Sequence, residues 1–297
     1  MVRPHSRRGF MLLEAVLAIA ILVTVVALVS PFIGSVQQAT HEREAILQRL
    51  ALERVISEQL RAQFARLGRV GCHNASGQMT IGSSASPPAI LRQADLVTGS
   101  DWLRATDSGL CNGYGIKQGQ RIEAQLPCDG LDIGDHLLIS SCTGAAQARV
   151  LTRQAEQVIA QTDASALLDG TVLLSTQVPF YWYLAPGRAH GVTTLWRKPV
   201  NQGNATELQP NITHLRVYPV VDSDQDGHAD TIETRLKQVA LNSLEGMLVE
   251  YRFQVSECVD ALSNHAKFTY HSLRGDTWRY DNRCSAVSKI LIDLGRW

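Results

Sequence analysis

The chain has 297 residues, 45% of them hydrophobic, and its 28 basic residues balance 28 acidic ones for a formal net charge of zero. That length allows one large domain or two smaller ones, and the balance removes the basic surplus on which nucleic-acid binders depend. Six cysteines with no C-x-x-C pair argue against zinc-ribbon and thioredoxin-like chemistry.

Arg3, His5, Arg7 and Arg8 come first, with no acidic residue among them. Phe10 to Ile33 then runs about 24 residues with Glu14 as its one charge, which is long enough to cross a bilayer as a helix. The positive-inside rule holds the arginines in the cytoplasm and sends the remainder outward. A charge within such a segment costs roughly 2.5–3.5 kcal/mol at mid-membrane, so Glu14 reads as functional. The apolar run is too long for a secretory signal, and Leu28-Val29-Ser30-Pro31 is a poor A-x-A-like cut. A plain signal anchor accounts for the arginines and the apolar run, but not for Gly9-Phe10 or Glu14.

On Gly9, Phe10 and Glu14 the chain resembles the type IV prepilins. The resemblance implies cleavage after Gly9 by a membrane prepilin peptidase and N-methylation of the new terminus, Phe10. It also implies an assembly role for Glu14, the fifth residue of the mature chain. Pro31 falls where many pilins carry a helix-kinking proline. The carboxylate of Glu14 then meets the amine of Phe10 on a neighbouring subunit, because a charge buried among apolar helices is tolerated only when paired. Ala15, Ala18, Ala20 and Ala27 let such helices approach closely.

Gln37 to Leu67 holds no proline or glycine, and Ile46, Leu50, Ile56, Leu60, Phe64 and Leu67 recur at helical spacing, with Glu53 interrupting. Gly68 and Gly71 end the pattern. One helix over 10–67 is expected, roughly 85 Å long at about 1.5 Å per residue, bent at Pro31 and Gly34, its second half packed on a sheet. From Val70 to Pro127 glycine, serine and proline are frequent, which predicts an irregular connecting region pinned by disulfides. Strands are expected at Leu137–Cys142, Ala146–Leu151 and Thr171–Ser175, with Gln154–Leu168 open between a short helix and a loop. Val178 to Lys198 reads as a hairpin turning at Ala185-Pro186-Gly187, with Tyr181-Trp182-Tyr183 in a packed strand. Further strands are expected at Thr206–Leu208, Ile212–Val221, over the alternating Ile232, Thr234 and Leu236, and around Leu248–Gln254. Strands in succession without helices between them imply an antiparallel sheet.

Asp222 to Glu233 matches the twelve-residue calcium-loop pattern D-x-D-x-D-G-x5-E. Asp222, Asp224 and Asp226 alternate and converge, Gly227 permits the turn, and His228 offers its backbone carbonyl. Asp230 acts through water and Glu233 supplies two oxygens. The five carboxylates repel one another without a cation, so calcium is the expected cofactor, in a structural role. The flanks predict strand–loop–strand rather than an EF-hand, and an Asp-Gly hairpin turn with a solvated acidic surface is the alternative.

The cysteines Cys72, Cys111, Cys128, Cys142, Cys258 and Cys284 all lie on the outward side of the apolar run, where disulfides are expected. Six cysteines allow 15 connectivities. Local pairing is the expectation: Cys72 with Cys111, Cys128 with Cys142 and Cys258 with Cys284. No P-loop, zinc-protease helix or nucleophile elbow occurs. His73, His136 and His214 read as surface or core residues. Asn74, Asn204 and Asn211 open N-x-S/T tripeptides, which occur often by chance.

The order of the pieces extends the resemblance. Gly71-Cys72 follows the helix; then come G-D-x-L-x-I-x-x-C over Gly134–Cys142, Y-x-x-A-P…L-W-R over Tyr181–Arg197, and E-L-Q-P-N-I-T-H-L-R-V-Y over Glu207–Tyr218 before the aspartate-rich turn. This arrangement is similar to PilW-type minor pilins over most of the chain, while Ile290–Trp297 departs from that group's arginine-bearing tail; a minor pilin of a mannose-sensitive pilus system is the other form. The resemblance implies an α+β, type IV pilin-like fold. Its parts are a leader at 1–9, a transmembrane and amphipathic helix at 10–67, and a disulfide-containing β-rich domain at 68–297. It implies a non-catalytic subunit that primes or caps a type IV pilus. The expected partners are prepilin peptidase, the major pilin, other minor pilins and the inner-membrane assembly platform. The expected location is the inner membrane with a periplasmic domain before assembly, and the extracellular pilus after it. The alternatives are a minor pseudopilin of a type II secretion system and a membrane-anchored adhesin or sensor.

Overall fold

A computed structural model describes residues 8–67, 69–70, 73–74, 77–128, 130–165, 167–201, 203–224, 226–256 and 267–294; the side chains of 8–13, 69–70 and 73–74 fall outside that description. The fold is α+β: one long helix, then a succession of antiparallel strands. Its contacts group into two compact units, Met1–Gln48 and Arg49–Trp297.

Helix α1, Arg8–Phe64, runs through Pro31 without a break. In the first unit the apolar side chains from Val16 to Val36 are exposed. Thr24 and Ser30 donate to the carbonyls of Ala20 and Val26 at 2.8 Å, so the helix satisfies its own hydroxyls. The second unit contains the rest of α1. There Ile56, Leu60 and Phe64, spaced four apart, are wholly buried, which puts them on one face of a 3.6-residue helix. Ile46 and Leu50, expected on that face, are exposed.

Strands β1 (Arg69–Val70) and β2 (His73–Asn74) form a small pair. β3 (Gln78–Ser83) and β4 (Asp101–Asp107) follow, so the region expected to be irregular holds regular strands. Next come β5 (Asn112–Gln118), β6 (Arg121–Gln125), β7 (His136–Ser141), β8 (Gly144–Gln154), β9 (Gln157–Gln161) and β10 (Gly170–Thr176). These six close into an antiparallel barrel in the order β10-β5-β6-β9-β8-β7. Within Gln154–Leu168, left open above, the structure has the end of β8 and the strand β9, and no helix among the described residues. Ile122, Leu137, Ile139, Val150, Val158, Val172 and Leu174 fill the interior, and alternate residues face out.

β11 (Val178–Pro186), β12 (Thr193–Pro199), β13 (Thr206–Pro210), β14 (Ile212–Val221), β15 (Thr231–Ile232), β16 (Gln238–Ala240) and β17 (Leu244–Gln254) continue the chain. β18 (Phe268–His271), β19 (Thr277–Tyr280) and β20 (Ser285–Asp293) complete it. A six-stranded sheet runs β13-β12-β11-β4-β3-β16 and a four-stranded sheet β15-β14-β17-β20. The chain passes from one to the other at Asn211, whose φ of 71° is a left-handed conformation that asparagine tolerates. Leu103, Trp182 and Leu195 of the first sheet, Val217, Val249 and Tyr251 of the second, and Ile56, Leu60 and Phe64 of α1 share one core. Phe64 meets Trp182 edge-on, ring centroids 6.1 Å apart, and Trp182 Nε1 donates to Gln63 at 3.3 Å.

β11 and β12 form the expected hairpin, with Tyr181, Trp182 and Tyr183 buried in it. Its turn falls at Gly187–Val192, just beyond the expected position, because Pro186 still pairs with Thr193. Of the predicted alternation Ile232, Thr234 and Leu236, only Ile232 lies in a strand, the two-residue β15 that starts at Thr231; Thr234, Arg235 and Leu236 are outside it.

Two expected disulfide pairings are overturned. Cys111 bonds Cys128, with Cα atoms 5.8 Å apart, in place of Cys72–Cys111 and Cys128–Cys142. The reason is the β5–β6 hairpin, whose register of Tyr114 with Gln125 brings together the residues just outside its ends. Cys142 and Cys284 are also disulfide-bonded; Cys72 and Cys258 lie outside the described residues.

Candidate functional site

Two features from the sequence have counterparts in the structure. The first is the helix of the first unit. Gly9 and Phe10 lie in its first turns; their side chains lie outside the described residues. Glu14 is exposed, and the apolar side chains that follow it, Leu28 and Phe32 among them, are exposed as well. Among the described residues this is one helix long and apolar enough to cross a membrane. Such a surface is stable only in lipid or against other apolar helices.

The second feature is the acidic loop between β14 and β15. These strands pair through Val221 and Thr231, so the loop closes a hairpin, as its flanks implied, and not a helix pair. Carboxylate oxygens of Asp222, Asp224 and Asp226 lie within 4.8 Å of one another, with Asp222 buried and the other two exposed. Backbone amides hold them there. Gly227 N donates to Asp222 Oδ2 at 2.7 Å, Asp226 N to Asp224 Oδ1 at 3.2 Å and His228 N to Asp226 Oδ1 at 2.8 Å. Gly227 has φ of 91°, which suits glycine at this turn. Three carboxylates carry six hard oxygens, the donor chemistry calcium takes.

The other residues of the pattern are used elsewhere. Asp230 Oδ2 accepts Ser223 N at 2.6 Å, which closes the loop. Glu233 pairs with Lys237 and accepts Arg235 N at 3.0 Å. The hydrogen bond from Lys237, joined by the Arg235 amide, holds the Glu233 carboxyl below its usual range. Glu233 therefore stays outside the group of three: its amide still bonds the Pro219 carbonyl at 2.8 Å, while its carboxylate is taken by Lys237 and the Arg235 amide. Glu245 and Asp293 line a hollow beside Gly227 and His228. Both are far from the loop in sequence and no local pattern points to them.

Sequence reading also missed two buried ion networks that fix the scaffold. Asp101, fully buried, accepts Arg216 Nη1 at 2.6 Å and Val217 N at 2.9 Å, and pairs with Arg274. Arg216 grips Asp276 with two bonds of 2.7 Å. Burial works against the Asp276 charge, but the Arg216 contact wins and holds its carboxyl below the usual range. This network joins the two sheets to the 272–276 turn. At the other end of β4, buried Asp107 accepts Arg66 Nη2 at 3.0 Å, with Arg197 Nη1 at 3.6 Å. Neither network has a spacing that sequence can show, since its members meet only after folding. His214 packs on Trp278 with ring centroids 5.6 Å apart. Asn211 is the corner between sheets, and its side chain accepts from Ser256 at 2.9 Å.

No family model matches the chain, and neither does any curated protein or solved structure.

Proposed function

We propose that this chain is a minor pilin: a non-catalytic subunit that primes or caps a type IV pilus. In this proposal prepilin peptidase cuts after Gly9 and Phe10 becomes the methylated terminus. Glu14 neutralises the Phe10 amine of an adjacent subunit, the major pilin or another minor pilin, at the inner-membrane assembly platform. The chain waits in the inner membrane with its β-rich unit in the periplasm, then leaves with the fibre. A type IV pilin-like fold follows from the same proposal: a helix that begins in the membrane and ends against an antiparallel sheet.

The observation that carries it is the exposed apolar helix in which Glu14 is the one charge between Phe10 and Ile33. One carboxylate in so long an apolar surface costs free energy unless a cation meets it. A freshly cut amine on a neighbouring helix supplies that cation, whereas a simple anchor supplies none.

Mass spectrometry of the protein from its native membrane tests the first step. The expected product starts at residue 10 and carries a methyl group; a chain that retains residues 1–9 overturns the proposal. Glu14→Ala tests the second. The variant is expected to be processed but to reduce fibres or leave them unprimed; unchanged fibre number and length reject the assembly role.

Calcium at Asp222, Asp224 and Asp226 belongs to the same proposal as a structural clamp outside the cell. Only the carboxylates of this chain are assigned to it.

A further inference from the structure

We propose that the outer wall of the barrel binds a neutral saccharide chain. Strands β10, β5, β6 and β9 lie side by side there. Their register sets outward side chains in rows. Tyr114 pairs with Gln125 and Gln125 with Gln157; in the next row Ile116 pairs with Glu123 and Glu123 with Ile159. Directly paired residues point to one face, about 5 Å apart at Cβ. The alternate residues Ile122, Ala124, Val158 and Ala160 are buried in the barrel, so the rows face solvent. They line a groove of about 520 Å³.

The chemistry of the groove is specific. Tyr114 is 72% exposed and Ile116 57%, although both are paired on either side, with β6 and with β10. Among the described residues, the Tyr114 hydroxyl and the carboxamides of Gln125 and Gln157 have no hydrogen-bond partner in the chain. Each carboxamide carries two donors and an acceptor, which match the paired hydroxyls of a sugar ring. The Tyr114 ring offers an apolar plate of the kind that takes the C–H face of a pyranose.

Charge narrows the choice. Arg121, at the groove's rim, donates to Glu123 at 3.0 Å, so the cation and the anion cancel in place. A nucleic-acid strand needs a basic groove, and this one has no cation to spare. An extended peptide that adds to a sheet needs a free strand edge, and a closed barrel has none. A neutral polyhydroxylated chain meets every group present without leaving a charge unpaired.

The proposal stands apart from the pilus reading, because it uses no residue before β5. Its test uses the full chain in a detergent without a sugar headgroup. Cellohexaose, maltohexaose and chitohexaose are titrated by calorimetry and by saturation-transfer NMR. At least one is expected to bind, with little dependence on salt. Tyr114→Ala and the double variant Gln125→Ala, Gln157→Ala are each expected to weaken it at least about tenfold. Tyr114→Phe, which keeps the ring, is expected to stay within about threefold of the native affinity. Unchanged melting of the Tyr114→Ala chain shows that the loss is local. The proposal is overturned if none of the three sugars binds, or if binding survives Tyr114→Ala. It is equally overturned if no sugar binds and Tyr114→Ala instead changes self-association, which makes the wall a protein contact. Glu14→Ala is expected to leave sugar binding intact, so failure of the assembly role and failure of this site are separable.

Discussion

His214 sits on β14 with its ring against Trp278. Burial lowers its pKa first, and the nearby cations Arg252 and Arg216 lower it further, against the pull of Asp276. The folded chain therefore binds its proton less readily than the unfolded chain, whose histidine titrates near about 6.5. Stability from this group is fully present above that value and is lost as pH falls below it. Asp276 and Asp281 behave differently: their carboxyls are held low, so their contribution is lost only as pH falls below the ordinary carboxylate range, near about 4. Urea midpoints measured from pH 7.5 to 5 are expected to fall for the native chain and to fall less for His214→Gln; equal slopes refute the assignment. Calcium belongs to the same scale. It is expected to raise the melting temperature by binding only the folded loop, and Asp224→Ala with Asp226→Ala is expected to abolish the gain. An identical melt with chelator removes the ion from the account. The trio was legible in sequence because the aspartates alternate along a hairpin. The place of Glu233 was not, because its carboxylate is taken by Lys237 and the Arg235 amide.

At the scale of single elements, α1 is two segments with different surroundings. Its face was legible from the spacing of Ile56, Leu60 and Phe64, but the spacing ran on to Ile46 and Leu50, which are exposed. Periodicity marks a face and does not say where along the helix its cover ends. Phe64→Ala is expected to cost about 3–5 kcal/mol, the range for an aromatic residue removed from a core, whereas Leu50→Ala is expected to stay within about 0.5 kcal/mol. Denaturant unfolding of the unassembled chain in detergent distinguishes them; equal losses contradict the docked face. Of the barrel strands, β7, β8 and β10 were legible, whereas β5 and β6 fell in the stretch expected to be irregular, for a physical reason. Asn112-Gly113-Tyr114-Gly115 carries turn-type residues, yet both glycines lie mid-strand and face inward. A Cβ at Gly113 would lie 2.0 Å from the Gln125 carbonyl oxygen, and one at Gly115 would lie 2.8 Å from Ala124 Cβ. These glycines mark close packing in a narrow barrel and not a bend. The Cys111–Cys128 bridge spans the ends of that same hairpin, across a separation of 17 residues. Closing a loop of this size contributes about 3 kcal/mol in the chain-entropy account. Replacing both cysteines with alanine is expected to remove about that much, read as earlier protease cutting within 108–177; an unchanged cutting profile refutes it.

For the whole molecule, the telling fact is where the barrel enters the chain. β4 ends at Asp107 and β11 begins at Val178, and these two residues are paired in the six-stranded sheet. Everything between them is the barrel, which has its own interior residues, separate from the core shared by α1 and the two sheets. The sequence was divided at 67/68 with one β-rich domain beyond, because no composition shift marks residues 108–177 and the strands on either side look alike. Pairing, which sequence does not display, shows that the barrel is an insertion into a hairpin. Such an insertion can be removed. Replacing residues 109–176 by an Asn-Gly turn leaves Ser108 and Gln177 as the last facing positions, and a two-residue turn with positive φ matches the strand twist there. Asp107 keeps Arg66 and Arg197 as partners, so no buried charge is orphaned. Both chains are compared fully reduced, since Cys142 leaves with the segment. The shortened chain is expected to keep the near-ultraviolet signal of Trp182 packed on Phe64 and a cooperative melt, and to lose any saccharide binding. If the excised chain instead unfolds without cooperativity, the sheets depend on the barrel for their stability. The six strands are then part of one folding unit and not a module set into it.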